Sequence, residues 1–154
     1  MSVTVGSPAV DFSLPTSGGG TLSAADLQAK AEFVIIYFYP RDATPGCTTE
    51  AKDFRDLAPQ LEQLNATVVG VSRDSVESHD AFVKDLDLNF PLITDDGTLT
   101  EGYGVWKLRK LGDKEMMIVE RSTFILRGGK VVKEWRGVKS TGHAAAVVES
   151  LKSL

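Results

Sequence analysis

Hydrophobic residues follow two different spacings along the chain, and these spacings predict alternating strands and helices. Continuous runs of β-branched and aromatic residues, such as residues 33–39 before Pro40, predict strands that are buried on both faces. Two further runs flank Gly128-Gly129, a sequence typical of a β-hairpin turn. The strands predicted in this way cover residues 33–39, 66–72, 90–93, 117–126 and 130–136.

Apolar residues at steps of three and four predict amphipathic helices between and after these strands. Pro59 removes one backbone donor from the first helix, so we expect that helix to kink or break near Ala58. Ser140 or Thr141 is expected to cap the last helix. The predicted helices cover residues 47–64, 75–86, 98–103 and 144–154.

The order of these elements predicts an α/β fold with a mixed central sheet and helices on both faces. A thioredoxin-like layout fits this order, although periodicity alone does not separate it from other α/β folds. The chain has 154 residues, of which 42% are hydrophobic and 25% charged, and this predicts a single globular domain over residues 1–154.

Charge and hydropathy limit the classes of partner. A net charge of −4 disfavours a nucleic-acid binder, which normally carries an excess of basic residues. The beginning of the chain lacks the basic and apolar regions of a signal peptide, and the longest apolar run is far below the ~20 residues that span a bilayer. We therefore expect a cytoplasmic protein with no nucleic-acid or membrane partner. A local basic cluster is expected to form a solvated loop; its members are Lys107, Arg109, Lys110 and Lys114.

The chain contains one cysteine, Cys47, where a predicted buried strand passes into a helix. A single cysteine excludes an intrachain disulfide, and with only two histidines it disfavours a structural zinc site. Capping rules make Thr44 the N-cap and place Pro45 and Cys47 in the first turn of the helix. The sulfur would then lie beside unpaired backbone N–H groups at the positive end of the helix dipole.

This position favours a reactive thiol. A free thiol with an ordinary pKa near 8.5 is only about 3% thiolate at pH 7. A helix end contributes only about 1 kcal/mol to the stability of an anion, so a cation such as arginine is also needed. The alternatives are that Cys47 is an inert buried hydrophobe and that Thr44 acts only as a cap.

The residues around Cys47 disfavour three other thiol chemistries. A tyrosine phosphatase loop needs an arginine six residues after the cysteine, where this chain has Asp53. A dithiol oxidoreductase needs a C-x-x-C pair, but Thr44 and Glu50 occupy the two candidate positions. A papain-like protease needs a nearby histidine, and we expect His79 and His143 to lie on solvated helix starts or faces.

The sequence resembles the peroxiredoxins, specifically the bacterioferritin-comigratory or PrxQ-type subfamily, over nearly its whole length. The most specific feature is the run P-x-x-x-T-x-x-C from Pro40 to Cys47, combined with Arg121 ahead of Ser122-Thr123-Phe124. The other matching segments are residues 8–15, 37–40, 48–50, 90–95 and 103–106.

The resemblance implies a thioredoxin-like fold that reduces hydrogen peroxide, organic hydroperoxides or both, without a metal or organic cofactor. It implies that the Cys47 thiolate attacks the peroxide and becomes a sulfenic acid, and that Thr44 aligns the peroxide. It further implies that Pro40 shields the pocket from water and that Arg121 hydrogen-bonds both thiolate and peroxide, while Glu50 orients Arg121 or caps the helix. The chemistry of peroxide reduction by a thiolate requires the same groups, namely an activated nucleophile and fixed hydrogen-bond donors that face the developing charge.

The chain departs from many members of this subfamily because it has no resolving cysteine. Lys52 stands at one of the two usual positions, and residues 82–84, around the other, contain no cysteine. We therefore expect an external thiol to resolve the sulfenate. The candidate thiols are thioredoxin, glutaredoxin, a small thiol or Cys47 of a second copy. We expect the protein to be a monomer or a weak homodimer.

Two other functions remain open from the sequence. A redox-sensing binding or chaperone module would oxidise Cys47 without turnover. A monothiol transferase is disfavoured, because Thr44 stands where thioredoxin-type sites keep their first cysteine.

Overall fold

The computed structural model describes residues 3–154 and contains a five-stranded mixed sheet flanked by helices. The strands are β1 (Ser13–Pro15), β2 (Thr21–Ser23), β3 (Phe33–Phe38), β4 (Ala66–Ser72), β5 (Leu92–Thr94), β6 (Trp106–Leu111), β7 (Lys114–Val119), β8 (Ser122–Arg127) and β9 (Lys130–Arg136). The helices are α1 (Ala24–Lys30), α2 (Pro45–Asp56), α3 (Ala58–Gln63), α4 (Val76–Leu86), α5 (Thr98–Gly102) and α6 (His143–Leu151).

Strand β3 lies at the centre of the sheet, whose order is β5-β4-β3-β8-β9. It pairs parallel with β4 and antiparallel with β8, and β9 is the edge strand that forms a hairpin with β8. All six side chains of β3 are buried, because helices cover both faces of the sheet. This confirms the predicted mixed sheet and the thioredoxin-like fold.

The two faces of the sheet carry separate hydrophobic clusters. Alternate side chains of β3 point to opposite faces, so Ile35 and Tyr37 join one cluster while Val34 and Ile36 join the other. The first cluster is covered mainly by α2, α3, α4 and α6, and it contains Cys47. The candidate nucleophile therefore belongs to a well-packed core and not to a surface loop.

The prediction of one strand over residues 117–126 is wrong. Glu120 and Arg121 interrupt it, so β7 pairs with β6 in a separate hairpin while β8 joins the central sheet. Most side chains of β6 and β7 are exposed, so burial does not impose the alternation that would have marked both strands. The four residues of the basic cluster, from Lys107 to Lys114, are exposed as expected, but all four lie on the strands of this hairpin and not in a loop.

Helix boundaries follow the backbone chemistry closely. Pro59 breaks the first predicted helix as expected, and α2 and α3 meet at Leu57. The predicted caps of α6 are wrong, because the helix starts at His143 with Gly142 as its N-cap. Gly142 has a φ of 75°, a conformation that glycine adopts without steric cost.

Strand β5 begins at Leu92 rather than at residue 90. No helix within residues 3–154 is long and apolar enough to cross a membrane.

Candidate active site

Cys47 lies in the first turn of α2, directly after the loop that follows β3. Thr44 is the N-cap residue with extended backbone angles, and Pro45 occupies the first helical position, as predicted. The Thr44 carbonyl accepts the Thr48 N–H over 2.9 Å. The Cys47 side chain is almost fully buried, with 1% of the residue exposed, and its sulfur lies near the N-terminal end of the helix.

Arg121 provides the cation that the sequence analysis required. It lies directly before β8, and its Nη2 donates to the Cys47 sulfur over 3.5 Å. Its Nη1 donates to Glu50 Oε1 over 2.7 Å, and its side chain is 15% exposed. Burial opposes the charge of Arg121, but the nearby Glu50 and Cys47 outweigh burial and raise its pKa above the ordinary value. The guanidinium therefore stays cationic beside the sulfur.

Glu50 is the buried partner of this guanidinium, one turn after Cys47 on the same helix. Its side chain is fully inaccessible, and its Oε2 has no hydrogen-bond partner among residues 3–154. Burial raises the pKa of Glu50 to about 7, and the attraction of Arg121 offsets only part of this shift. Near neutral pH, Glu50 is therefore close to the midpoint between its protonated and ionised forms.

Gly46 makes room for the guanidinium at the start of α2. A Cβ atom at this position would meet Arg121 Nη2 at 3.0 Å and the Ser140 hydroxyl at 3.3 Å. Sequence reasoning did not single out Gly46. A glycine inside the first turn of a helix, directly before the only cysteine, is the signal that could have identified it.

Tyr37 is a second neighbour that the sequence analysis missed. Its ring packs against Phe54 of α2 at a centroid distance of 4.7 Å, and its hydroxyl is buried without a hydrogen-bond partner in the described chain. Burial, followed by the charges of Glu50 and Cys47, raises the pKa of Tyr37 well above 10. Tyr37 therefore remains a neutral phenol on the sheet side of the candidate site.

Pro40 and Thr44 lie on the solvent side of the same loop. Pro40 is exposed, and together with Arg121 it lines a cavity of about 310 Å³ whose wall includes Ile118 and Val119. The Thr44 hydroxyl does not cap α2 but donates to the Arg41 carbonyl over 2.9 Å. The structure thus joins Cys47, Glu50 and Arg121 by direct contacts, with Pro40 and Thr44 at the adjoining loop.

The prediction that both histidines are solvated is wrong. His79 is fully buried in α4, and His143 is 6% exposed at the start of α6. Thr123 Oγ1 lies 2.7 Å from His143 Nε2. Burial, with a contribution from Arg121, lowers the pKa of His143 to about 4. Neither ring hydrogen-bonds Cys47, whose polar contact is the arginine.

His79 belongs to a cluster of potential ligand atoms that lies outside the contacts of Cys47. One atom each from Asp42, Asp74 and His79 lie within 4.8 Å of one another. These atoms already hydrogen-bond protein groups, and His79 Nδ1 lies 2.7 Å from Asp42 Oδ2. Asp42, Asp74 and His79 are therefore members of a hydrogen-bond network.

A buried thiol at a helix start, held against a guanidinium on a thioredoxin-like fold, defines a thiol-based oxidoreductase. The chain belongs to the AhpC/TSA family, which matches residues 5–134. It is 43% identical to peroxiredoxin Bcp of Bacillus subtilis strain 168, over 100% of this chain and 98% of that protein.

Two of the similar solved structures cover nearly the whole chain. Peroxiredoxin Q from Xanthomonas campestris is 41% identical with a TM-score of 0.89, over 98% of this chain and 96% of that chain. A structure of the bacterioferritin comigratory protein from the same organism, described for its alkyl peroxide reduction activity, is 40% identical with the same TM-score and coverage.

The chain is therefore a peroxiredoxin of the Bcp or PrxQ type and a thiol-dependent peroxidase. Its substrates are peroxides, and its turnover uses a thiol reductant. The single cysteine matches the predicted absence of a resolving cysteine.

Proposed function

We propose that Cys47 is the peroxide-reducing residue and that Arg121, Thr44, Pro40 and Glu50 assist it. The Cys47 thiolate attacks the distal peroxide oxygen, a sulfur–oxygen bond forms and the O–O bond breaks. The products are a sulfenic acid on Cys47 and water or an alcohol, once one proton has neutralised the leaving hydroxide or alkoxide. The observation that carries this proposal is the contact of Arg121 with the buried Cys47 sulfur.

Arg121 acts on the charge that develops during this step. Its guanidinium has several donors in one plane, so Nη2 can serve the sulfur and the incoming peroxide while Nη1 stays on Glu50. Fixed donors in a site from which water is excluded stabilise developing charge more strongly than donors in water. We assign Arg121 the stabilisation of the transition state.

Glu50 and Thr44 have supporting roles in this proposal. Glu50 holds Arg121 from the protein side, because its carboxylate is buried on the same helix as the nucleophile. In the structure the Thr44 hydroxyl donates a hydrogen bond to the Arg41 carbonyl, and it can rotate about its Cα–Cβ bond towards a peroxide. We assign Thr44 the alignment of the peroxide for in-line attack.

Pro40 forms part of the entrance for substrate. The lining of the cavity beside Arg121 combines charged residues with the apolar groups of Pro40, Ile118 and Val119, and these apolar groups suit the carbon chain of an organic hydroperoxide. The alkyl peroxide reduction activity described for the Xanthomonas campestris relative supports the same substrate class. We propose that the enzyme reduces both hydrogen peroxide and organic hydroperoxides.

The oxidised enzyme needs an external thiol in this proposal, because the chain offers no second cysteine. Thioredoxin, glutaredoxin or a small thiol would attack the sulfenic acid, form a mixed disulfide and release water. We further propose that residues 1–154 act as one domain, as a monomer or weak homodimer. The free thiol suits a reducing compartment, and we propose the cytoplasm.

Mass spectrometry of the intact protein tests this one-cysteine cycle. After one equivalent of peroxide, we expect the mass of the monomer plus one oxygen, and a mixed disulfide when a small thiol is added. Cys47→Ser is the control and should gain neither. A redox sensor would form the same sulfenic acid but would not consume peroxide repeatedly in a coupled assay with thiol donors. Absence of turnover with every donor would contradict the proposed enzyme.

A further inference from the structure

A second buried polar network lies at the end of β3, next to the loop that leads to Cys47. Its centre is Asp42, which is 8% exposed, and its partner His79 is fully buried in α4. The Asp42 carboxylate accepts the Tyr39 hydroxyl over 2.6 Å on Oδ1 and the Ser78 hydroxyl over 2.8 Å on Oδ2. None of these residues hydrogen-bonds the Cys47 sulfur, and the mechanism above does not use them.

Both ring nitrogens of His79 have buried hydrogen-bond partners. His79 Nε2 lies 3.1 Å from the Ile93 carbonyl oxygen, which can only accept, so Nε2 donates to it. His79 Nδ1 lies 2.7 Å from Asp42 Oδ2, and two lone pairs cannot face each other at this distance, so a proton lies between these two atoms. His79 and Asp42 therefore form a short, buried hydrogen-bonded pair that ties α4 to the loop after β3.

The residue after Asp42 has a strained backbone. Ala43 has a φ of 63°, in the left-handed region that residues other than glycine rarely adopt. Such a conformation is strained and persists only where the surroundings hold it. Asp42 is held at both its side chain and its backbone, since its N–H donates to Asp74 Oδ2 over 2.8 Å. Thr44 and α2 follow directly after Ala43.

We propose that the hydrogen-bonded pair of His79 and Asp42 positions a residue of the peroxidase site. The pair holds Ala43 in its left-handed conformation and thereby sets the place of Thr44, the next residue along the loop. His79 and Asp42 act through the loop and do not touch the peroxide. This inference rests on the proposed roles of Cys47 and Thr44.

Two variants remove the pair, and a third serves as the matched control. His79→Gln removes the imidazole ring, and Asp42→Asn replaces the carboxyl group by an amide. Asp95→Asn is the control, because Asp95 is 5% exposed and its carboxylate also accepts three hydrogen bonds, all from Leu99 and Thr100 of α5. For each protein, the rate of Cys47 oxidation by hydrogen peroxide is compared with the rate of its alkylation by iodoacetamide, at matched folded fraction.

Alkylation needs a thiolate but no aligned peroxide. In His79→Gln and Asp42→Asn, we expect the peroxide rate to fall about tenfold to a hundredfold, as small misplacements of reacting groups do, while alkylation remains largely unchanged. Asp95→Asn should keep the wild-type ratio of the two rates. Equal falls in both rates, or a ratio no lower than that of Asp95→Asn, would overturn the proposal. A wild-type protein that does not react with peroxide would instead refute the proposed function.

A second substitution tests the role of Ala43. In the Asp42→Asn background, Ala43→Gly should recover part of the peroxide rate, because glycine adopts a positive φ without steric cost. If the double variant recovers nothing while both proteins remain folded, the pair does not act by holding Ala43.

Discussion

Glu50 and Arg121 form a buried ion pair between residues 71 positions apart in the sequence, with Nη1 and Oε1 separated by 2.7 Å. The pair joins the first turns of α2 to the start of β8, and the same guanidinium reaches the Cys47 sulfur. Glu50 thus holds Arg121 from inside the protein, while the Cys47 sulfur accepts a hydrogen bond from Nη2 of the same guanidinium. Arg121 stays cationic, so the net charge of the pair depends on the protonation of Glu50.

Removing Arg121 should separate catalysis from stability. Arg121→Ala is expected to lower the rate constant for peroxide reduction about 10²–10³-fold, the scale seen when one charge-stabilising donor is lost. It should also destabilise the fold, because Glu50 is left buried without its cation. The double variant Glu50→Gln/Arg121→Ala should regain stability but not activity. Stopped-flow oxidation and urea unfolding measure the two effects.

Arg127→Ala is the control for this series. Arg127 pairs with Glu32 at the surface, where the two side chains are 50% and 41% exposed, so its loss should change stability little. An Arg121→Ala enzyme as active as Arg127→Ala would show that Arg121 does not stabilise the transition state.

Glu50 should make stability depend on pH. The pKa of Glu50 is about 7 in the folded protein against an ordinary 4.5, so the folded state binds its proton more tightly than the unfolded state. Its contribution to the free energy of unfolding is therefore fully present below pH ~4.5 and is lost as the pH rises through about 7. The difference corresponds to roughly 3 kcal/mol.

Urea unfolding of the wild type and Glu50→Gln at about pH 5 and about pH 8.5 isolates this contribution. The glutamine variant should lose less stability between the two conditions than the wild type, because glutamine does not titrate. Identical losses in the two proteins would mean that Glu50 does not titrate in this range.

Gly46→Ala should harm activity without harming stability. Alanine suits a helix better than glycine by at most about 1 kcal/mol. Its Cβ would meet Arg121 Nη2 at 3.0 Å, so the guanidinium must shift away from the start of α2. We expect an unchanged or higher melting temperature together with slower peroxide reduction. An alanine variant with the wild-type oxidation rate would show that Arg121 has room to adjust.

Lys52→Cys should restore an intramolecular disulfide. Lys52 is exposed on α2, and residues five positions apart lie about 140° apart around a helix, so the helix must unwind before its sulfur can reach Cys47. The start of α2 has no side-chain cap hydrogen bond, which lowers the cost of that unwinding. After peroxide, we expect a loss of two hydrogens and less over-oxidation to sulfinic acid.

Lys130→Cys is the matched control for this prediction, since Lys130 is also exposed but is the first residue of β9, directly after the turn of the β8–β9 hairpin. It should form no internal disulfide with Cys47. If Lys52→Cys also forms none and is equally over-oxidised, position 52 does not serve as a resolving position in this chain.

Local chemistry made much of the fold predictable. Strand β3 is continuous and apolar, and the break at Pro59 follows from one missing N–H. Thr44 is the N-cap residue and Pro45 the first residue of α2, as predicted, although the Thr44 hydroxyl makes no capping hydrogen bond. The place of Cys47 in the first turn could therefore be predicted from eight consecutive residues. The strands of the exposed hairpin β6–β7 were harder to predict, because residues in contact with water on both faces need no apolar alternation.

Local sequence patterns place the single cysteine, Cys47, at the start of a helix after a buried strand. The contacts of Arg121 with Cys47 and Glu50 were expected only from the family resemblance, and the burial of His79 and His143 was not expected at all; both are set by the folded chain. The physical reason is that helix starts and buried strands depend on neighbouring residues. The burial and pairing of a charged side chain depend instead on groups that the folded sheet brings together from distant parts of the chain.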